Sequence, residues 1–243
     1  KGTLGGTAFL EKLEAERNFK KTSWSQFGED AHLQGVYHRL RYRRGIDVTS
    51  GTIVDVGAFR PIKWSNTYAF HQRGWRTINI DPTPGSMRIF DKVRPLDTNL
   101  ELAIGPEAGE GAFFVSAAPS VFNTMDEAAA LAHARKSGRT PQKLPVKIRR
   151  LEEVLDEHLR GDSFEILSID AEGYDIEILK SNDFARFRPR LILIEVHDAE
   201  VDALSAHPIV RYLAEQDYDL LSWINPNLLF IRRDSSYLPG GGE

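Results

Sequence analysis

Several short apolar runs in this chain stop at residues able to do chemistry. Thr52-Ile-Val-Asp-Val56 runs into Gly57, and Arg76-Thr-Ile-Asn-Ile80 stops at Asp81. Phe164-Glu-Ile-Leu-Ser-Ile169 stops at Asp170, with Glu172 just beyond, and Arg190-Leu-Ile-Leu-Ile-Glu-Val196 leads into His197. A single tight glycine turn lets a backbone approach a ligand without a side chain in the way. Pyrophosphate binding would call for Gly-x-Gly-x-x-Gly at the first of these places. The chain has Gly57 alone, followed by Phe59-Arg60-Pro61, so a nucleoside without a pyrophosphate fits better. Asp81, 24 residues after Gly57, is suited to accept both hydrogen bonds of a ribose diol. A helix cap before Pro82 is the plainer role for the same carboxylate. Asp170, Glu172, Glu195 and His197 would face one crevice from neighbouring strands. Oxygen ligands with one imidazole suit a divalent Mg, Mn or Fe ion, or a general base with its orienting carboxylate.

The elements that must position these residues alternate in type. Strands are predicted at 52–56, 76–80, 99–104, 111–116, 146–149, 164–169, 190–196, 219–223 and 227–231. Helices are predicted at 9–20, from beyond Ser25 to Arg44, and at 64–73, 85–93, 125–136, 151–159, 174–180 and 208–216. Alternation of this kind implies an α/β fold, a parallel sheet with helices on both faces and a closing antiparallel pair. Ligands bind such sheets beyond the carboxyl ends of the strands, where the chemistry-bearing residues fall. Residues 1–50 read as an N-terminal helical cap and 51–243 as the catalytic domain. The excursion at 117–142 reads as a lid or binding loop, since long insertions in α/β domains are more often that than connectors.

Composition narrows the function classes. The 243 residues carry 31 Lys and Arg against 35 Asp and Glu, a net charge of −4, which gives no basic excess for nucleic acid. No apolar run approaches the roughly 18–20 residues that cross a bilayer. With no cysteine, disulfides, thiolate zinc sites and cysteine nucleophiles are excluded. Neither a Gly-x-Ser-x-Gly elbow nor a phosphate loop is present. The expected location is cytoplasmic, and an oligomer is left open. His32, His38, His71, His133, His158 and His207 fall on helices or their edges and are expected to lack partners. Trp24, Trp64, Trp75 and Trp223 could stack on a sugar, though Trp75 is expected in the core, and Arg41 to Arg44 are expected at a solvated helix end.

Taken together, Ser25-Gln-Phe-Gly-Glu-Asp30, Val54-Asp-Val-Gly-Ala58, Ser65-Asn-Thr67, Gly74-Trp75, Ile80-Asp-Pro82, Ser168-Ile-Asp-Ala-Glu-Gly-Tyr-Asp175 and the Arg188-Pro to Glu195 segment resemble the FkbM-type methyltransferases. The resemblance runs from about Ser25 to Trp223. It implies a class I, Rossmann-like methyltransferase sheet of about seven strands with an antiparallel last strand. It also implies S-adenosylmethionine as cofactor and O-methylation of sugars or of polyketide and related natural products, so that the expected partner is a small-molecule or saccharide acceptor whose site the 117–142 excursion would cap. By that resemblance Asp55, Gly57 and Ala58 lie against the methionine portion, Asp81 holds the ribose, and Ser25, Gln26, Asn66 and Thr67 line the same pocket. Asp170 stands on the sulfonium side. Ala171 departs from the β-branched residue the family pattern leads one to expect. Asp170, Glu172 and His197 are the catalytic candidates and the candidate metal ligands. The rival readings are an NAD-linked oxidoreductase and a nucleoside-binding domain without catalysis.

Overall fold

Strands that are apolar at nearly every position must be covered on both faces, and the computed structural model of the protein has that arrangement. It describes residues 22–116, 120, 122–161, 163–197 and 199–238. The strands are β1 (Thr52–Val56), β2 (Arg76–Ile80), β3 (Thr98–Leu100), β4 (Ala103–Ile104), β5 (Gly109–Val115), β6 (Gln142–Arg149), β7 (Ile166–Ile169), β8 (Leu191–Glu195), β9 (Tyr218–Ile224) and β10 (Asn227–Arg232). Seven form the main sheet in the order β3-β2-β1-β7-β8-β10-β9. From β3 to β8 neighbouring strands are parallel, and β10 is antiparallel to both β8 and β9. This is the seven-stranded, mostly parallel architecture expected of a class I methyltransferase.

Alternation sorts the side chains. Val54, Val56, Leu167, Ile169, Ile192 and Ile194 point to one face, where helices Leu151–His158, Asp175–Lys180 and Pro208–Glu215 bury them. Ile53, Ile166, Leu191, Leu193, Leu229 and Ile231 point to the other, beneath helix Glu29–Arg44. That helix buries Leu33, Val36, Tyr37 and Leu40, the three-and-four spacing of one helical stripe. Glu29 and Asp30 in its first turn and Arg41, Arg43 and Arg44 in its last oppose the helix dipole, and Gly45 ends it with φ 66°. Arg41 to Arg44 are exposed and Trp75 is 5% exposed, as expected.

Three expectations need correction. The predicted strand 99–104 is two strands on two sheets, because the chain leaves β3 at Glu101 and Leu102. β4 then pairs with β6 in a separate three-stranded sheet, β4-β6-β5, which the sequence reading did not foresee. β6 therefore begins at Gln142 rather than 146 and pairs along its length with β5. The predicted helix 64–73 shrinks to Tyr68–His71. Trp64 sits at φ 62°, outside the helical region, and the Ser65 hydroxyl accepts from the N–H groups of Thr67 and Tyr68. The predicted helix 9–20 lies outside the described residues. Within the 117–142 excursion, helix Glu127–Ser137 starts where the Asp126 carboxylate accepts from Ala128 and Ala129 N–H.

Candidate active site

The strand order reverses direction at β1, with β2 and β3 on one side and β7 and β8 on the other. A cleft opens beyond the carboxyl ends at this switch point. It encloses about 920 Å³ including its open mouth, and its wall carries Gln26, Asp55, Gly57, Ala58, Asn66 and Asp81. Asp170 and Glu172 form part of the same wall.

The turn after β1 makes the cleft. Gly57 and Ala58 donate back to the Ile80 carbonyl at 2.9 and 3.1 Å, which wraps the chain over the end of β2. Gly57 has φ 83°, and a Cβ there would lie 1.7 Å from the Asp170 carbonyl oxygen. Only glycine lets the β1 turn and the β7 end touch. Asp81 accepts from Phe59 N–H at 3.0 Å through Oδ2 and from Thr83 N–H at 2.8 Å through Oδ1. The Thr83 and Ser86 side chains also hydrogen-bond to this carboxylate. Asp81 is not the cap of the next helix, which begins at Ser86 with Gly85 in the cap position. Burial raises the Asp81 carboxyl's pKa, and the N–H groups of Thr83 and Phe59 oppose that rise.

Behind the wall lies a buried polar layer. Asp55 accepts from Thr67 Oγ1 at 3.4 Å and its pKa is raised by burial, with Ser168, Arg94 and Thr67 pulling the other way. Arg94 is fully buried and donates to Thr77 at 2.6 Å, Asp97 at 2.7 Å and Thr67 at 3.0 Å. Thr67 thus acts one layer behind the cleft, not on its wall. Ser25 does the same kind of local work, since its hydroxyl donates to Asp30 at 2.9 Å. Asn66 stands on the wall and donates to Ser168 at 3.3 Å.

The acidic corner comes from two adjacent strands. Parallel pairing sets Ile169 beside Ile194, so Asp170 and Glu195 follow side by side and their carboxyls are hydrogen-bonded. Asp175 accepts from Ala171 and Gly173 N–H at 3.0 Å each, fixing the turn that holds Glu172 at φ 51°. Burial first, then Asp170 and Asp175, push Glu172 up to about 8. Burial first, with Glu172 and Asp175 adding to it, pushes Glu195 up to about 7 against the hydrogen bond from Asp170. Asp170 is raised well above the usual carboxylate range by burial and by Glu195. His197, 62% exposed at its side chain, brings Nε2 to 3.0 Å from Glu195 and 3.8 Å from Glu172.

Glu172, Glu195 and His197 each offer a ligand atom, all within 4.8 Å of one another. Asp170, expected among the metal ligands, is not in that group; its carboxyl is engaged with Glu195, which takes its place. The sequence reading put Glu195 in the crevice yet left it out of the catalytic set. It missed Arg94, which reads in sequence as one more solvated cation. It also missed Phe59 on the cleft wall, whose only signal was its nearness to Gly57, while Trp64, one of the four tryptophans named as able to stack on a sugar, does line the cleft. The excursion after β5 supplies Ser120, Asn123, Thr124 and Met125 to the wall, and Thr124 Oγ1 donates to the Glu172 carbonyl at 3.0 Å.

The remaining histidines are better connected than expected. His32 meets Ser222 at 2.8 Å, His71 meets Asp97 at 3.0 Å, and His207 accepts from Ile209 N–H at 3.3 Å. His133 stacks on Phe122, and His158 lies 3.6 Å from Glu157. No helix among the described residues is long and apolar enough to cross a membrane.

A family model described as the methyltransferase FkbM domain matches residues 55–220 of the chain. No curated protein matches it.

Proposed function

Because the chain belongs to the FkbM methyltransferase family, we propose that it methylates a hydroxyl of a sugar, or of a glycosylated or polyketide natural product, using S-adenosylmethionine. The observation that carries the oxygen specificity is the acidic corner, where Glu195 and Glu172 are pushed to about 7 and about 8. An alcohol must lose its proton as it attacks, and a base works best when its pKa lies near the operating pH.

The residues present fit the cofactor. Asp81 puts a carboxylate on the cleft wall for a diol to meet, and the adjoining wall of Val56, Ile80, Leu102 and Ile104 is apolar enough for a flat base. The Asn123 side-chain amide is buried in the wall with no partner for Nδ2 among the described residues, a donor left for a ligand atom. The cofactor, when bound, supplies an electrophilic methyl group. Asp170 would face its positive sulfonium, and Glu195 or Glu172 would take the acceptor's proton. His197, bonded to Glu195 and open to solvent, would carry that proton on.

One observation favours a second scheme. The grouping of Glu172, Glu195 and His197 can hold a Mg, Mn or Fe ion, which would lower the pKa of a coordinated hydroxyl. The test is transfer of labelled methyl to a panel of free sugars, glycosides and polyketide aglycones between pH 6 and 9, before and after EDTA. The base scheme predicts methyl ethers, a rate rising through pH 7–8 and indifference to EDTA. Loss on chelation with rescue by Mn would establish the metal. Label on nitrogen would overturn the oxygen reading.

A further inference from the structure

At the mouth of the cleft the loop after Gly57 turns outward and exposes an arrangement the acidic corner has no use for. Phe59 and Trp64 both line the cleft, with ring centroids 6.2 Å apart and planes only 18° from parallel. The Arg60 guanidinium lies 4.7 Å from the Phe59 centroid and 5.5 Å from that of Trp64, and the Lys63 ammonium 4.5 Å from Trp64. Neither cation has a carboxylate partner among the described residues, whereas Arg94, Arg149, Arg190 and Arg233 all have one. Phe59 and Trp64 hold φ 49° and 62°, a conformation that bulky side chains rarely adopt. Strained backbone of this kind persists where the surrounding structure holds it for a purpose.

We propose that the 59–64 loop is a subsite for an anionic group, a carboxylate, phosphate or sulfate, carried by the acceptor saccharide. The rings of Phe59 and Trp64 hold the two cations against the cleft wall, and Arg60 and Lys63 supply the counter-charge. Asp81, Asp170 and Glu172 line the cleft and, charged or protonated, offer an anion no cation, whereas Arg60 and Lys63 lie against two of its lining rings and attract one. An acceptor with its anionic group at the rim therefore turns an uncharged hydroxyl toward Glu195. The net charge of −4 hides this local basic rim.

The proposal rests on the methyl-transfer reading only in taking the ligand for the acceptor. The other source of the same chemistry is the amino-acid carboxylate of the cofactor, and the experiment separates the two. Saturation-transfer NMR on the full chain would compare methyl glucoside, glucuronate, glucose 6-phosphate and glucose 6-sulfate, each with and without S-adenosylhomocysteine. The anionic sugars are expected to bind about tenfold more tightly than methyl glucoside, and Arg60→Gln/Lys63→Gln should erase that preference. The double variant should bind S-adenosylhomocysteine and methylthioadenosine as the parent does. Equal binding of neutral and anionic sugars, or a preference that survives the double variant, overturns the subsite. So does a loss of S-adenosylhomocysteine affinity with methylthioadenosine unaffected, which would assign the cations to the cofactor. If S-adenosylhomocysteine fails to bind while the anion preference stands, the methyl-transfer reading falls and the subsite survives.

Discussion

Replacing Glu195 with Gln should make the protein more stable and less active. In the folded chain this carboxyl is raised from the usual 4.5 to about 7, first by burial and then by Glu172 and Asp175. A carboxyl whose folded pKa exceeds its unfolded one takes up a proton on folding. Its stabilising contribution is complete below about 4.5 and is lost as pH rises through about 7. At about 1.4 kcal/mol per pH unit, keeping Glu195 charged in the fold costs roughly 3 kcal/mol at pH 8. Gln cannot ionise, and its amide can donate to Asp170 where the shared proton was. Glu195→Gln should therefore gain roughly 2 kcal/mol more at pH 8 than at pH 5, about 4–8 °C in melting temperature for a chain of this size. Methyl transfer should fall by roughly a hundredfold or more, the usual worth of a positioned base. Thermal unfolding of the EDTA-treated protein at the two pH values, beside a rate assay, measures both. A variant equally destabilised at pH 5 and pH 8 would mean that Glu195 is a structural residue, and the argument from raised pKa values would fail.

Arg94→Met should cost about 3–5 kcal/mol in unfolding free energy, since it leaves the buried Asp97 carboxylate without its 2.7 Å cation; a loss under about 1 kcal/mol on chemical denaturation contradicts this. Gly57→Ala should abolish S-adenosylhomocysteine binding, because its Cβ would sit 1.7 Å from the Asp170 carbonyl and force the β1 turn off β7; binding at parental affinity would refute the close approach. Glu172 titrates near 8 and Glu195 near 7, so the rate should climb from pH 6 to about pH 8. A flat profile would remove both as bases.

The main sheet was legible because strands buried on both faces are apolar throughout and stop where the sheet stops. That pattern alone places Asp81 and Asp170 at strand ends. Strand adjacency was harder, since Glu195 meets Asp170 only through the parallel pairing of β7 with β8. The small sheet was hidden because Leu100 to Ala103 reads as unbroken extended chain, and nothing local marks the change of partner. Ser25 and Thr67 show what a sequence does not tell of a hydroxyl. Short hydroxyls satisfy the nearest carboxylate or backbone group, and theirs turn to Asp30 and Asp55 rather than into the cleft. Arg94 was illegible because its partners Thr67, Thr77 and Asp97 come from separate elements that only the fold assembles.

The central claim is that the cleft at the end of β1 holds S-adenosylmethionine with its ribose on Asp81. Calorimetric titration of the EDTA-treated protein with S-adenosylhomocysteine tests it most directly, with Asp81→Asn as the comparison. Asparagine keeps the size but gives up the charge and one acceptor oxygen. The account predicts binding in the micromolar range and a loss of about tenfold or more in the variant, as expected for removing charged hydrogen bonds to a buried diol. Failure of the parent protein to bind, or equal affinity in Asp81→Asn, would contradict it.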